Sequence, residues 1–339
     1  MQCRYLSAAV ACGVLVATPA FADAVSDFYG GKTVTIVAAT GAGSAYGLHG
    51  RLLAEAMRKN LPGNPNIVMQ FMPGGGGGKQ ANYMYNAAPK DGSWIGFPLK
   101  YIAVNQALGH TGLKYDAAKF GYVGSLGPIN SAVVVMRKHT PHQTFAALKQ
   151  HEVIMGSTGK SSETFITPTL MNSLLGTRIK IVSGYKGMKD ITLAMERGEV
   201  HGRAGSWESL KSGEADWLKN DSISLIALSG LKRNWDLPEL PTLIELAEDE
   251  EAKAVLRFFG AGNAVGWLFA VPPGVPAERL AALRKAFDAT MADAAYQAQV
   301  KDRKLDLQPE TGAEVAELVS GTLAVTPAAL KRIRAAMGM

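Results

Sequence analysis

The stretch Thr33–Lys59, TVTIVAATGAGSAYGLHGRLLAEAMRK, decides the fold. Val34, Ile36 and Val37 form an apolar run of strand length. Gly41, Gly43 and Gly47 punctuate a turn, and Leu48, Leu52, Leu53 and Met57 recur at helical spacing. A strand that feeds a helix through glycines points backbone N–H groups and the positive helix end at whatever occupies the crevice beyond it. The stretch therefore reads as an anion site at the start of an α/β unit.

The same rhythm runs on. Ile67–Phe71 and Trp94–Pro98 read as strands on either side of a helix over 78–86. A second series of strands follows at Ser131–Met136, Val153–Met155, Ile179–Ser183, Val200–Arg203 and Ile223–Leu228, with helical stretches between them. This alternation predicts α/β architecture with largely parallel sheets. The turn Leu237–Thr242 (LPELPT) caps a helix from Leu243, and the acidic run Glu248–Glu251 reads as a solvated helix face. Trp267–Val271 reads as a strand, and 277–292 and 313–337 as two C-terminal helical stretches. No short internal repeat is present. A chain of 339 residues exceeds what one hydrophobic core usually supports. Two lobes are expected, one from 23–127 plus 261–339 and the other from 128–260. The chain would cross between them near 124–127 and 260–266, which would form a hinge.

The first residues carry a leader pattern. Arg4 is followed by a run, Ala8–Ala22, that is apolar apart from Thr18 and ends in the small-x-small triplet Ala20-Phe21-Ala22. The expectation is a signal peptide over 1–22, cleaved after Ala22, and export to the periplasm. Both cysteines, Cys3 and Cys12, fall inside it. The mature chain then lacks disulfides, thiolate nucleophiles and cysteine metal sites, which fits a bacterial periplasm. The formal charge is +6, with Lys and Arg scattered and never interleaved with aromatics, so no nucleic-acid partner is expected. No mature segment is long and apolar enough for a membrane helix.

Three glycine loops invite comparison with nucleotide enzymes. In the first, the third glycine comes one residue late for G-x-G-x-x-G, and the next strand ends Val68-Met69-Gln70-Phe71 with no acid for a ribose. In the second, Pro73 and Gln80 stand where a phosphate loop needs glycine and a hydroxyl. Its run Gly74–Gly78 is either a flexible turn or a helix start that faces a ligand. The third, GSTGKSS over Gly156–Ser162, gathers hydroxyls, N–H groups and a lysine that suit a carboxylate. Alternatively, Ser161 or Ser162 caps the following helix. Pro168 should kink that helix or mark a second start. There is no G-x-S-x-G elbow, and the six histidines show no metal spacing. No catalytic residue, metal or cofactor is assigned, and the chain is not expected to be an enzyme.

From Phe28 to Val319 a series of motifs lines up with one family: FYGGKTVTIV, GAGSAYGLHGRLLAEAM, MPGGGGGKQANYMYNAAPKDGSWIG, GSTGKSS, SGYKGMKDITLAMERGEVHGRAG, LPELPTLIE and VPPGVPAERLAALRKAFDATM. In order and spacing they resemble the Bug (TctC-type) periplasmic solute-binding proteins of tripartite tricarboxylate transporters. The resemblance implies a type II periplasmic-binding-protein fold, two α/β lobes joined by a hinge with a ligand cleft between them. It implies capture of a small organic carboxylate by lobe closure and delivery to the transporter's membrane permease subunits, by a monomer. A periplasmic sensor that presents the bound carboxylate to a signalling receptor is the alternative.

Carried over motif by motif, the resemblance places Gly43, Ser44, Ala45 and Tyr46 on one side of the ligand. Ser157, Thr158, Gly159 and Ser161 face them, with Tyr185, Lys186 and Arg203 beside. Two family aspartates are replaced here, by Gly47 and His201. With Lys160, Lys186 and Arg203 near, a more electropositive cleft is expected, whose ligand needs no acidic partner. Tyr46, Tyr101, Tyr185, Trp207 and Trp267 are candidates to stack on an aromatic ligand or to fill the core, with Trp267 assigned to the core.

Overall fold

The computed structural model describes residues 20–339. The expected leader lies outside the described residues except for Ala20-Phe21-Ala22, which open the first helix. In chain order the strands are β1 (Thr33–Ala38), β2 (Asn66–Phe71), β3 (Trp94–Phe97), β4 (Gly121–Ser125), β5 (Ser131–Met136), β6 (Val153–Ser157), β7 (Ile179–Ser183), β8 (Gly202–Ser206), β9 (Ile223–Ser229), β10 (Leu268–Val271) and β11 (Glu310–Thr311). The helices are α1 (Ala20–Tyr29), α2 (Ala45–Met57), α3 (Gly78–Asn86), α4 (Ile102–Leu108), α5 (Phe145–Gln150), α6 (Glu163–Leu175), α7 (Met188–Arg197), α8 (Trp207–Gly213), α9 (Ala215–Lys219), α10 (Leu243–Leu246), α11 (Glu250–Val265), α12 (Ala277–Met291), α13 (Ala294–Asp302), α14 (Gly312–Leu323) and α15 (Pro327–Ala336).

Two sheets form. The first has the order β11-β4-β10-β3-β1-β2 and the second β7-β6-β8-β5-β9. β1 lies between β2 and β3, parallel to both, and every residue after Thr33 is buried. That two-sided burial is why its sequence is an apolar run rather than an alternation. Both sheets were expected to be largely parallel, and each carries antiparallel strands as well. β10 runs antiparallel to β3 and β4, and β5 runs antiparallel to β8 and β9. The chain passes between the sheets at one shared edge, so β5 and β10 start at the edge where β1, β3, β6 and β8 end.

The two crossings are hydrogen-bonded to one another. Leu126 N–H donates to the Trp267 carbonyl (3.1 Å), Trp267 N–H to that of Gly127 (3.0 Å), and Ile129 N–H to that of Asn263 (2.9 Å). Gly266 has φ 59°, and a Cβ there would overlap the Gly127 carbonyl, so only glycine fits.

The first core packs Ile36, Phe97, Phe269 and Phe287 with Leu53 and Met57 of α2. The second joins Val133, Met155 and Ile166 to Tyr101, Val104 and Leu108 around α4, and to Ile333 and Met337 at α15. α15 lies against α4, α6 and α11. A bend of 83° lies between α14 and α15, which the sequence pattern had run together. Pro327 begins α15, where its missing N–H breaks no bond. No single helix among the described residues is long and apolar enough to cross a membrane. Pro168 sits inside α6 without ending it.

Beside the first sheet, Glu310 of β11 is half-buried near Glu314, and burial followed by that neighbour raises its pKa from 4.5 to about 7. A carboxyl whose folded pKa is raised stabilises the fold fully below its unfolded pKa. It loses that contribution as pH rises from about 4.5 to about 7. Glu310→Gln should therefore raise the melting temperature at pH 8 and leave it nearly unchanged at pH 4.5. Equal shifts at both pH values in a thermal melt would contradict this.

Candidate functional site

The shared edge of the two sheets holds a cavity of about 450 Å³. Its wall is built from β–α junctions of both sheets: residues after β1, β2 and β3 on one side, and after β6, β7 and β8 on the other. This is the carboxyl-end crevice where ligands of open α/β sheets bind. Four helices of nine or more residues, α2, α3, α6 and α7, start at this wall. The first N–H groups of each have no carbonyl of their own helix to reach. In α2, Ser44 Oγ takes the Gly47 N–H (3.2 Å) and donates to the Gly41 carbonyl (2.8 Å). The N–H groups of Ala45 and Tyr46 are left at the cavity. Each helix start favours a nearby anion by about 0.3–1 kcal/mol.

The loops approach closely. Gly76 lies against Ser161 and Ser162 of the opposite side, where a Cβ would sit 2.9 Å from backbone atoms. Asn105 Nδ2 donates to the Ser161 carbonyl (2.9 Å). The polyglycine run is thus neither a phosphate loop nor a slack turn. Gly74, Gly76 and Gly77, all with positive φ, line the cavity and let the second loop close on it.

Of the residues expected at the site, Gly43, Ser44, Ala45, Tyr46, Thr158, Ser161, Tyr185 and Lys186 line the cavity. Ser157 does not: it is fully buried, and its Oγ accepts the Gly159 N–H (3.1 Å). Ser157 and Gly159 shape the loop rather than face the space. Arg203 is also off the wall. It is 1% exposed within β8 and donates from Nη2 to Glu214 Oε2 at 3.1 Å. Lys160 does not line the cavity either. Trp207 turns away and donates from Nε1 to Asp236 (2.9 Å). Trp267 is a core residue as expected, 1% exposed, and it also borders the cavity, with its ring centroid 4.7 Å from that of Tyr46.

Neither of the two positions that the resemblance marks as a replaced aspartate lines the cavity. Gly47 is buried outside the cavity wall, and a Cβ there would overlap the Ala42 carbonyl. His201 lies just before β8, at the end remote from Ser206, where its Nδ1 accepts the Ile154 N–H (3.2 Å). Nor is the cleft free of acids, because Glu163 and Asp190 line it together with Lys100, Lys186 and Lys189. Lys100 Nζ lies 2.8 Å from Glu163 Oε1. Desolvation by burial lowers the Lys100 pKa, and Glu163 opposes that shift. The Lys189 side chain reaches over Gly43, where any Cβ would collide with it. Lys100 could have been found in the sequence as a cation directly beyond the strand Trp94–Phe97. Glu163 is the residue that follows the serines of GSTGKSS.

Behind the cavity a polar network ties the two sheets. His49 Nε2 of α2 pairs with Glu208 Oε2 of α8 at 3.0 Å, both sealed from solvent. Glu208 Oε1 accepts the Asp306 N–H (2.7 Å), and Lys211 pairs with Asp236 (2.6 Å) and Asp306 (3.4 Å). Among the described residues, no group of three or more His, Cys, Asp or Glu side chains could hold a metal ion.

Two α/β lobes with a cavity at their shared strand edge define a type II periplasmic-binding-protein fold, a class of ligand receptors. Solved structures agree in fold. MatC from Rhodopseudomonas palustris, with bound malate, matches with TM-score 0.69 at 20% identity, over 90% of this chain and 99% of that one. Rpa4515 of R. palustris, with adipate, gives 0.70 at 20% identity, over 91% and 97%. The periplasmic binding protein BugD gives 0.67 at 18%, over 88% and 97%. No curated protein sequence matches the chain. The chain belongs to the tripartite tricarboxylate transporter family receptors (TctC), whose sequence profile matches residues 50–334. This is a family of solute receptors and not of enzymes.

If Gly47 is a packing residue, Gly47→Asp should cost about 1–3 kcal/mol of stability through the clash with Ala42. Unaltered stability in a denaturant titration would show that the first loop has room for a carboxylate.

Proposed function

We propose that this protein is an extracytoplasmic receptor that captures a small organic carboxylate between its lobes and hands it to the membrane permease of a tripartite tricarboxylate-type transporter. The observation that carries the reading is the convergence of four helix N-termini, with Lys186 and Lys189, on one cavity between the sheets. The carboxylate is met by Gly43, Ser44, Ala45 and Tyr46 from the first loop and by Thr158 and Ser161 from the second. Tyr185 and Lys186 complete the contact. The malate and adipate bound to the two R. palustris proteins support this class of ligand. In the proposal the lobes divide near residues 127 and 260 and close about the two crossings. The receptor is exported, cleaved after Ala22 and works as a monomer.

Purified mature protein should be stabilised by an acid in a thermal-shift panel of mono-, di- and tricarboxylates, amino acids and aromatic acids. The shift should correspond to about 2.7 kcal/mol at a hundredfold excess over Kd. Stabilisation by neutral sugars and by no acid would contradict the reading. Because Trp267 packs on Tyr46 at the cavity, ligand should change the tryptophan fluorescence, and Trp267→Phe should remove most of that change. Intact mass of the periplasmic protein should place the N-terminus at Asp23; an N-terminus well inside α1 would contradict the cleavage site.

A further inference from the structure

Lys100 and Glu163 are cavity residues to which the carboxylate reading gives no role. Lys100 follows β3 of the first sheet, whereas Glu163 opens α6 on the second. Lys100 Nζ lies 2.8 Å from Glu163 Oε1 and donates to Ser131 Oγ at 2.8 Å. Their side chains are only 5% and 12% exposed, yet both residues border the cavity. A buried lysine would otherwise be the strongest anion-binding group in the wall, but here its charge is already matched. On the first-sheet side the lining next to Lys100 is apolar or aromatic, from Tyr46, Leu99, Tyr101, Ile129 and Trp267, while hydroxyls of Ser161, Ser162 and Thr164 flank Glu163. Lys186 and Lys189, which make no ion pair among the described residues, stand exposed at the rim.

We infer that Glu163 is a specificity-determining residue of this site: its carboxylate takes the place of a ligand's second carboxylate, so the cavity accepts a monocarboxylate with an apolar body and rejects the matching dicarboxylate. The inference rests on the carboxylate reading above. The ligand's one carboxylate is met by the helix starts and the rim lysines, and its hydrocarbon body lies along Tyr46, Leu99 and Ile129. A second carboxylate sent toward Lys100 would shed its hydration where water is scarce and find the lysine's charge already matched by Glu163, so nothing offsets that loss. An ammonium group gains little at the same place, because Glu163 is already paired with Lys100.

Matched acids test this directly. Calorimetric titration would compare hexanoate with adipate, and benzoate with terephthalate, on the wild type, Glu163→Gln and the double variant Lys100→Gln/Glu163→Gln. The wild type should bind the monoacid of each pair at least about tenfold more tightly. Glu163→Gln, with Lys100 left uncompensated, should shift the ratio toward the diacid by about tenfold or more. The double variant should lose that gain, which shows that it runs through Lys100. A wild type that binds the diacid as tightly as the monoacid would overturn the inference, and this needs no variant to fold. A folded Glu163→Gln with an unchanged ratio would overturn it as well. If no acid binds and another solute does, the carboxylate reading falls first and this inference with it.

Discussion

Everything in this structure follows from the way two sheets present their carboxyl-terminal strand ends to one gap. Strands β1, β2, β6 and β7 end there and each feeds a helix of nine or more residues that starts there, so both sheets aim helix N-termini into the same space. The N–H groups of Ala45 and Tyr46, and those opening α6 and α7, have no intrahelical partners. The gap is therefore electropositive by construction of the backbone, before any side chain is considered. Gly76 makes the close approach possible: it admits the backbone of the opposite loop at Ser161 and Ser162 where a Cβ would collide.

The same geometry imposes a second constraint. The chain has to cross between sheets at that edge, and the crossings at Gly127 and Gly266 lie hydrogen-bonded side by side. Around them the lobes are joined by buried polar pairs. Lys100 with Glu163 is a buried ion pair and His49 with Glu208 a buried hydrogen-bonded pair, and each bridges the two sheets. Removing one partner of such an ion pair typically costs about 3–5 kcal/mol, because the other charge stays buried and unmatched. Separating the lobes would instead return both partners to water, where each charge is solvated. The pairs therefore oppose half-formed states more than they oppose opening.

Much of the architecture was legible in the sequence because it is carried by local signals. Apolar runs gave most strands, and glycine junctions gave loops that line the cavity. What escaped depends on contacts between distant residues. β4 was missed because its glycines carry no strand signal; Gly124 is small so that the Phe287 ring can pack on it. The antiparallel strands follow from where the chain crosses, which periodicity does not encode. Lys100 and Glu163 are 63 residues apart in sequence, and neither looks unusual alone. Gly47 and His201 were read as missing charges, but one is fixed by the Ala42 carbonyl and the other stands at the far end of β8. The residues carried over by motif position divide in the fold: most of them line the cavity, whereas Ser157 and Arg203 stand behind its wall.

The central claim is that the helix starts, and not a particular side chain, hold the ligand's carboxylate. A crystal structure of the protein with its bound acid tests this most directly. The account predicts carboxylate oxygens within about 3 Å of the Ala45 and Tyr46 backbone nitrogens, with the second loop closed over them. A carboxylate held only by the Lys186 and Lys189 ammonium groups, away from every helix start, would contradict it.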